Sequence, residues 1–548
     1  MGAAGQYQFA PEERPLIPGG PFTPSHPLPR RLGYGAIGIV IGIATTFPNA
    51  LINVNVPNLS GPLGVYVAQA AWLPAIYVAM NATANLALVK SRIQFGIFPV
   101  TNCVLMIYAA LGLLQIPFPG LVMAVLVRAA NGVTAAGLTT LTIYYMLQVF
   151  PPKLRPLALV ISIGLPQLGT PLARLIPVDV LAANGWYGLH LIEPAAAFFV
   201  LALINWLRLP PSECSKAFER LDFVTIALIV TAMLLVCGVL GVGRYYWWSD
   251  APWLGWMLVA AIPLFATAIL IESHRTNPML QISWLASRDI ALFAAVAALV
   301  RIALAEQTYG SVGLLTLGGL TNDQLHTLFL WVALAMVLGI IAACLTLSQE
   351  RLRLQVMVAA LIIAAGAFID SGATNVTRPP ELYLSQALIG FGTTLFIGPA
   401  LVYGFLRMLA KGATFFVTFV VLFSITQNVG GLAGSALLGS YQIIQSRAHA
   451  ASLQDHVLAA DPQVVLRIQS GAASVAGAVV DPGLRGAQGA ALLAQRLTAE
   501  ANILAFNDVF RFVFFLALAT AAYLLCRILW ITFCVRPTQP PQATRAAA

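Results

Sequence analysis

Long apolar stretches make up most of this chain, and short clusters of polar or charged residues separate them. About fourteen of the stretches reach the roughly 18 residues that an α-helix needs to cross a bilayer. Inside lipid, every backbone N–H and C=O group must be satisfied within its own helix. The pattern therefore predicts an all-α polytopic membrane protein.

The predicted helices end at polar clusters, prolines or glycines. Their expected bounds, to within a few residues, are 33–55, 70–89, 96–116, 119–148, 155–176, 189–208, 221–243, 253–272, 289–315, 325–347, 353–370, 382–405, 412–440 and 508–533. Because proline lacks a backbone donor, Pro48, Pro166 and Pro171 predict bends in the first and fifth helices.

Composition supports a membrane class and excludes several others. Charged residues are 9% of the chain, against roughly 25% in soluble domains. Hydrophobic residues are 59%, and the mean hydropathy is +0.84. The net charge of +9 comes from basic residues between apolar segments, which does not predict a nucleic-acid partner. The six cysteines are scattered and no P-loop, HExxH or GxSxG motif occurs, so we expect no metal site, no cofactor and no enzyme activity.

Lysines and arginines lie in every second loop between the predicted helices. These basic loops hold Arg30, Arg31, Lys90, Arg92, Lys153, Arg155, Arg208, Lys216, Arg220, Arg275, Arg288, Arg351, Arg353, Arg407, Lys411 and Arg536. Of the intervening short loops, only those with Arg244 and Arg378 are basic. Basic loops remain on the cytoplasmic side of a membrane, so we expect both termini there and an even number of helices.

One long loop, 441–507, falls on the opposite side and carries mixed charge. Both of its ends have helix-forming composition, so we expect the last two helices to extend beyond the membrane and meet. One interpretation is a docking surface for a periplasmic adaptor protein. The other is a solvated, partly disordered loop.

Several motifs occur in the order found in one transporter family. They are PNALINVNVP at 48–57, GPLG at 61–64, QAAWLPAIYVA at 69–79, LVRAANGVTAAG at 126–137, FPPKLRPLALVI at 150–161, GLPQLGT at 164–170, GWYGLHLIEP at 185–194, TQNVGGLAGSAL at 426–437 and FNDVFRFVFF at 506–515. Together they resemble the fourteen-helix drug:proton antiporter branch of the major facilitator superfamily (EmrB/QacA type). The resemblance covers residues from about 45 to 530.

The resemblance implies a major facilitator fold of two six-helix bundles, 33–208 and 289–535, around an inserted helix pair with its linkers, 209–288. The Pro-rich composition of residues 1–32 predicts a disordered cytoplasmic tail, and 536–548 would be a second tail. The implied function is secondary transport across a bacterial inner membrane, with export of small amphipathic or toxic compounds in exchange for protons. The implied partners are the lipid bilayer, the small-molecule substrate and protons.

The chain departs from the family at positions that carry the coupling chemistry. The family's acid in the first helix falls at Pro48, and the loop ALVKSRIQFG at 87–96 lacks the family's Asp. Thr170 replaces a glycine of the antiporter motif, and Gln427 replaces an arginine. These losses favour an alternative function, an uncoupled facilitator or an importer of a small metabolite. A membrane enzyme or scaffold would need a cluster of catalytic polar residues at one membrane face, and the sequence contains none.

Ionisable residues deep inside predicted helices are costly in lipid, so they indicate a cavity or a partner. Arg128 in the fourth helix has two interpretations. As a cavity residue, it would attract an anionic substrate or couple to a nearby proton site. As a structural residue, it would form hydrogen bonds with facing backbone. Arg301 and Glu306 lie five residues apart on the ninth helix. Their side chains therefore point in directions roughly 140° apart, and we do not expect them to pair.

Glu306 is the one acid that the pattern places well inside a membrane helix. Burial disfavours the carboxylate anion, which makes a buried carboxyl a suitable proton carrier. We therefore expect Glu306 to bind and release the coupling proton, in place of the missing acid of the first helix. The alternative is a permanent ion pair with an arginine of a neighbouring helix, such as Arg128.

Polar residues at other positions predict a cavity and a gate. Asn49 and Asn53 are four apart on the first helix, as Asn81 and Asn85 are on the second, so each pair shares one face. We expect these asparagines to line a substrate cavity together with Arg128, Arg301 and Gln427. The alternative for the asparagines is that they form hydrogen bonds between helices. Near the outer ends of helices five and six, Arg174, Asp179, His190 and Glu193 predict an outer gate or an interfacial polar cluster.

Overall fold

The computed structural model describes residues 13–15, 17, 19–458 and 460–534. Residues 1–12, 16 and 18 of the predicted N-terminal tail and the predicted tail 536–548, which includes Arg536, therefore lie outside the described residues. Within the described part, thirteen helices are long and apolar enough to cross a membrane, and no β-strand is present. The predicted all-α membrane fold is confirmed.

The long helices follow one another along the chain, and we number them in order. They are α1 (Leu28–Leu59), α2 (Val67–Phe95), α3 (Ile97–Leu114), α4 (Leu121–Leu147), α5 (Pro152–Arg174), α6 (Val178–Trp206), α7 (Arg220–Tyr246), α8 (Pro252–Ser273), α9 (288–317), α10 (Asn322–Leu345), α11 (Leu352–Asp370), α12 (Pro379–Leu409), α13 (Phe416–Asp455) and α14 (Pro482–Cys534). Short helices at Ile282–Leu285 and Pro462–Ser474 lie between them.

Helix α9 is the one long segment that is not continuous enough to count among the thirteen. Its α-helical pieces, Arg288–Ala303 and Ser311–Leu317, flank a π-helical turn at Glu306–Gly310. The whole segment rises about 45 Å at ~1.5 Å per residue, which exceeds a bilayer core of ~30 Å. We therefore count α9 as a further membrane-spanning helix, which brings the thirteen to the predicted fourteen.

Prolines bend α1 and α5 where the sequence predicts. Helix α1 breaks after Ala44 and resumes at Phe47, with Pro48 in the first turn, where its missing N–H group costs nothing. Helix α5 tightens to a 3₁₀ turn at Leu165–Leu168, around Pro166. The hydroxyl of Thr46 donates to the carbonyl of Pro166, so the two bends meet.

Two groups of six helices pack mainly among themselves, and we call them the N-lobe (α1–α6) and the C-lobe (α9–α14). The lobes contact each other where α2 packs on α13 and where α5 packs on α10 and α12. Glycines allow this close approach: a Cβ atom on Gly398 of α12 would lie 2.6 Å from Val160 of α5. Helix α7 packs on both α2 and α13, so it lies along one lobe–lobe seam.

A charged cluster at the basic loops joins α7 and α8 to the end of α2. Lys90 bonds to Asp222 at 2.5 Å, and Arg275 lies 2.8 Å from both Asp222 and Glu272. Arg275 also bonds to Glu219 at 2.7 Å, and this guanidinium lowers the pKa of that carboxyl. Asp222 of the inserted pair thus provides a carboxylate for Lys90 of the loop 87–96.

The end of the predicted N-terminal tail is ordered, which corrects the prediction of a disordered segment through residue 32. Helix α1 begins at Leu28, and the carbonyl of Phe22 accepts a hydrogen bond from Gln148 at 3.0 Å. Arg155 donates to the hydroxyl of Thr23 at 2.6 Å, and the side chain of Ile17 is buried. Proline-rich composition predicts disorder only where no fixed surface offers such contacts.

The region 441–507 is largely helical, because α13 continues to Asp455 and α14 begins at Pro482. Gln442 and Ser446 of α13 donate to Asn502 of α14 at 2.8 and 2.9 Å. The last two helices therefore extend and meet beyond the lobes, as the composition of the region predicts.

The substitution Asp222→Asn tests whether the charged cluster stabilises the fold. Asp222 is fully buried, and its loss leaves Lys90 and Arg275 without their shared carboxylate. We expect a loss of about 3 kcal/mol of unfolding free energy, measured by thermal unfolding in detergent. Asp455→Asn, at an exposed position of α13, is the control. Equal melting temperatures for the two variants would contradict a stabilising role.

Candidate functional site

A cavity of about 520 Å³ lies between the two lobes. Helices of both lobes and α7 of the inserted pair line it. The lobe–lobe contacts of α2 with α13 and of α5 with α10 and α12 surround it, so the cavity changes shape if the lobes move relative to each other.

All four predicted asparagines line this cavity. The side-chain oxygens of Asn49 and Asn85 are buried and have no hydrogen-bond partner, and Asn53 is exposed within the cavity wall. Asn81 also accepts from Asn428 of α13 at 3.0 Å. The two interpretations of the asparagines thus apply to different residues, since Asn81 joins the lobes while the other three face the cavity.

Arg301 and Gln427 meet on the C-lobe wall of the cavity. The Nε group of Arg301 donates to the backbone carbonyl of Gln427 at 3.0 Å. The Arg301 side chain lies over Gly430 and Gly431, and a Cβ atom on Gly431 would come within 3.1 Å of Nε. Both side-chain amide atoms of Gln427 are buried without a partner. The structure therefore leaves unused donors and acceptors at this point of the wall.

Two further arginines line the cavity. Arg174 of α5 donates to Asn322 of α10 at 3.1 Å and lies 4.9 Å from the ring centre of Phe329. Arg244 of α7 donates to the hydroxyl of Tyr245 at 2.6 Å and lies 4.8 Å from the ring centre of Tyr309. None of the described residues that line the cavity is an aspartate or a glutamate.

Aromatic side chains of α12 and α13 line another part of the cavity. The ring of Phe419 lies 6.3 Å from that of Phe405 and 6.1 Å from that of Phe423. Ile17, from the segment before α1, also reaches the cavity wall. The cavity thus combines polar groups with an aromatic surface.

Arg128 does not line this cavity, which corrects its predicted place among the cavity residues. It is buried within the N-lobe, where it forms an ion pair with Glu193 of α6. The amide of Asn131 also donates to Glu193, at 3.4 Å. Arg128 therefore pairs with a carboxylate of its own lobe, and not with Glu306.

The four residues of the predicted outer gate lie in different surroundings. Helix α6 begins at Val178, so Glu193 lies about four turns inside it and not near its end. His190 is one turn before Glu193 and is also buried, whereas Asp179 is exposed. Only Arg174 contacts the opposite lobe, through Asn322, and the backbone N–H of Val178 donates to Asp323 beside it at 3.1 Å.

Glu306 lies inside the C-lobe beside a second carboxyl, Asp370 of α11. Both accept from the side-chain amide of Gln386, Glu306 at 3.1 Å and Asp370 at 2.6 Å. The two carboxyls are 0% and 1% exposed, and no basic side chain pairs with either one within the described chain. Burial of two adjacent carboxylate anions without a cation is costly, which makes this pair a candidate proton site.

The π-helical turn connects this pair to the cavity. Glu306 points into the C-lobe, whereas Gln307, Thr308 and Tyr309 line the cavity. Gln307 also donates to the backbone carbonyl of Gln386 at 3.2 Å. A π-helical turn is a strained insertion that often marks a functional site. Glu306 and three residues of the cavity wall therefore belong to one short turn.

Sequence reasoning missed Asp370 and Gln386. Asp370 closes the predicted helix 353–370, and it reads as the start of a polar loop. Gln386 is a polar residue within an apolar helix, as the paired asparagines are. It has no second polar residue four positions away, so it does not mark a polar helix face. Their proximity to Glu306 depends on the packing of α9, α11 and α12.

Comparisons with known proteins identify the fold. No protein-family model and no curated protein matches the sequence. Similar solved structures include tetrameric PepTSo2 (12% identity, TM-score 0.53, 92% of this chain and 99% of that chain) and the proton:xylose symporter XylE bound to 6-bromo-6-deoxy-D-glucose (12%, 0.52, 88% and 96%). The human organic anion transporter MFSD10 is similar too (12%, 0.50, 90% and 100%). XylE is a major facilitator superfamily protein, and at these identities the likeness shows the fold alone: this chain has the fold of major facilitator transporters.

Single substitutions of the Arg128–Glu193 pair test its role in the N-lobe. Arg128→Met or Glu193→Met leaves a buried charge unpaired, so each should cost about 3–5 kcal/mol of unfolding free energy. The double variant Arg128→Met/Glu193→Met removes both charges and should recover most of that loss. Thermal unfolding in detergent measures all three. Stable single variants that lose ligand binding would contradict a structural role.

Proposed function

We propose that this protein is a secondary active transporter that exports small amphipathic or toxic compounds in exchange for protons. The cavity between two lobes supports a transporter, because alternating access needs a site that opens to either side as the lobes rock. The polar and aromatic walls of the cavity suit an amphipathic compound. Proton exchange is supported by a single observation, the buried pair of Glu306 and Asp370.

The proposed coupling uses the geometry of the π-helical turn. A carboxyl pair that shares one proton can release it only if the two groups separate or gain water. Binding of a compound against Gln307, Thr308 or Tyr309 would displace this turn, because these residues line the cavity. We therefore propose that binding of a compound in the cavity releases the proton from the carboxyl pair, as antiport requires.

The contact of α5 and α6 with α10 is the proposed gate between the lobes. Arg174 and Val178 bond to Asn322 and Asp323 across the lobes, and these bonds must break when the lobes separate on this side. The gate is smaller than the sequence predicts, since His190 and Glu193 lie inside the N-lobe.

The basic loops support an orientation with both termini in the cytoplasm of a bacterium and the helices in its inner membrane. In that orientation the extended ends of α13 and α14 lie in the periplasm. We propose that this region, 441–507, docks a periplasmic adaptor protein. Exposed apolar side chains there, Leu466, Val480 and Leu484, support this proposal over a solvated loop.

An uncoupled facilitator or importer is the second candidate function. The absence of an acid at Pro48 in the first helix favours it, because the family resemblance places a coupling acid there. The two candidates differ in one measurable property, the response of transport to a pH gradient.

Substitution of the carboxyl pair tests the coupling. In proteoliposomes, a pH gradient should drive uphill transport of members of a panel of anionic, neutral and cationic naphthalene derivatives. Glu306→Gln and Asp370→Asn should each abolish the response to the gradient, because neither amide exchanges a proton, while downhill exchange of the same compounds remains. Glu381→Gln, an exposed residue at the start of α12, is the control. Full gradient-driven transport by Glu306→Gln would exclude this mechanism, and a wild type indifferent to the gradient would favour the facilitator.

A covalent link across the gate tests alternating access. In a variant whose six cysteines are replaced by alanine, Val178→Cys and Asp323→Cys place two thiols where the lobes touch. Reaction with a short, cleavable bifunctional thiol reagent should arrest transport in proteoliposomes, and cleavage of the reagent should restore it. The variant with Asp323→Cys alone controls for modification. Transport at the full rate by the cross-linked protein would contradict the opening of this gate.

A further inference from the structure

The charged groups in the central cavity all have one sign. Arg174, Arg244 and Arg301 are the charged residues among its described lining. Arg301 bonds to a backbone carbonyl, Arg174 to an asparagine and Arg244 to a tyrosine hydroxyl. No ion pair of the described chain includes any of the three.

Buried arginines elsewhere in the described chain differ in their partners: Arg92 donates to the backbone carbonyl of Gly137 at 3.1 Å, whereas two others have carboxylates. Arg128 pairs with Glu193, and Arg275 pairs with Asp222 and Glu272. Burial of a charge is costly unless it is paired or hydrated. Three arginines without carboxylates around one cavity therefore leave a net positive charge that is available to a ligand.

Arg301 and Gln427 supply a recognisable binding point for an anion. A guanidinium presents several N–H donors in one plane, of which Arg301 uses Nε for the backbone. The buried side-chain amide of Gln427 has no partner in the protein. Gly430 and Gly431 allow the Arg301 side chain to lie directly against the backbone of α13. A carboxylate or sulfonate placed here would accept charge-assisted hydrogen bonds from both side chains.

The aromatic wall indicates the rest of the ligand. Phe405, Phe419 and Phe423 form a continuous series of rings along the cavity. Planar apolar groups pack favourably on such rings. An organic cation would meet three positive charges in the same space, and a neutral compound would leave the guanidinium of Arg301 without a counter-charge.

We propose that the cavity selects amphipathic organic anions, with the anionic group on Arg301 and Gln427 and the apolar body on the phenylalanine series. This proposal names the substrate class of the transport site proposed above and rests on that function. It concerns equilibrium binding, so it is tested without any proton gradient.

The test compares three ligands with the same ring system. Isothermal titration calorimetry on the full-length protein in detergent would use 2-naphthoate, 2-naphthalenemethanol and 2-naphthylmethylammonium. We expect 2-naphthoate to bind at least about tenfold more tightly than either of the others, as a charge-assisted hydrogen bond implies. Equal affinities, tighter binding of the cation, or no binding of 2-naphthoate would overturn the proposal.

Substitutions locate the anion within the cavity. Arg301→Gln should weaken 2-naphthoate binding about 10- to 100-fold and change the neutral ligand little, while Arg301→Lys should retain part of the preference. Arg467→Gln, at an exposed position of the helix Pro462–Ser474, is the matched control. If Arg301→Gln lowers the melting temperature, Gln427→Leu provides a second variant that should weaken 2-naphthoate binding. Unchanged 2-naphthoate affinity in both variants would exclude this binding point.

The outcomes separate this proposal from the proposed coupling. Preferential binding of 2-naphthoate, together with transport that ignores a pH gradient, would support the substrate class and contradict antiport. Gradient-driven transport of the cationic or neutral compound, without preference for 2-naphthoate, would support antiport and contradict the substrate class.

Discussion

The structure depends on the cost of an uncompensated charge inside a bilayer-spanning bundle. Translocation of one basic or acidic side chain to the centre of a membrane helix costs roughly 2.5–3.5 kcal/mol on insertion scales. The chain meets this cost in three different ways. Arg128 is neutralised by Glu193, the carboxyls of Glu306 and Asp370 are adjacent without a cation, and Arg301 faces a cavity. We propose a different role for each arrangement.

The three arrangements occupy different parts of one framework. The Arg128–Glu193 pair lies inside the N-lobe and joins α4 to α6, which suits a lobe that moves as a rigid body. The carboxyl pair lies inside the C-lobe, separated from the cavity by the π-helical turn of α9. Arg174, Arg244 and Arg301, which have no carboxylate partner among the described residues, line the cavity between the lobes. Gln307, Thr308 and Tyr309 of this turn line the cavity, so the proposed binding site and the proposed proton site share one element.

The sequence predicts the fold well because membrane helices are encoded locally. The apolar stretches and the alternating basic loops predict fourteen helices, and the prolines at 48 and 166 predict the bends in α1 and α5. Individual side-chain partners are less predictable, because they depend on packing between helices that are distant in sequence. In the sequence, Arg128 and Glu306 both appear as charged residues deep inside helices. Only the structure shows that Arg128 pairs with a carboxylate, whereas Glu306 lies beside another acid. An error of eleven residues at the start of α6 was enough to assign Glu193 to a gate. Proline-rich composition likewise concealed the contacts of Phe22 with Gln148, just after α4, and of Thr23 with α5.

The most direct test of the account is a count of protons exchanged when the cavity is filled. Addition of 2-naphthoate to the detergent-solubilised protein in weakly buffered solution should change the pH. The change should correspond to a measurable fraction of a proton exchanged per protein. The change should disappear in the double variant Glu306→Gln/Asp370→Asn while 2-naphthoate still binds. Binding without any proton exchange in the wild type, or an exchange that persists in the double variant, would contradict the link between the cavity and the carboxyl pair.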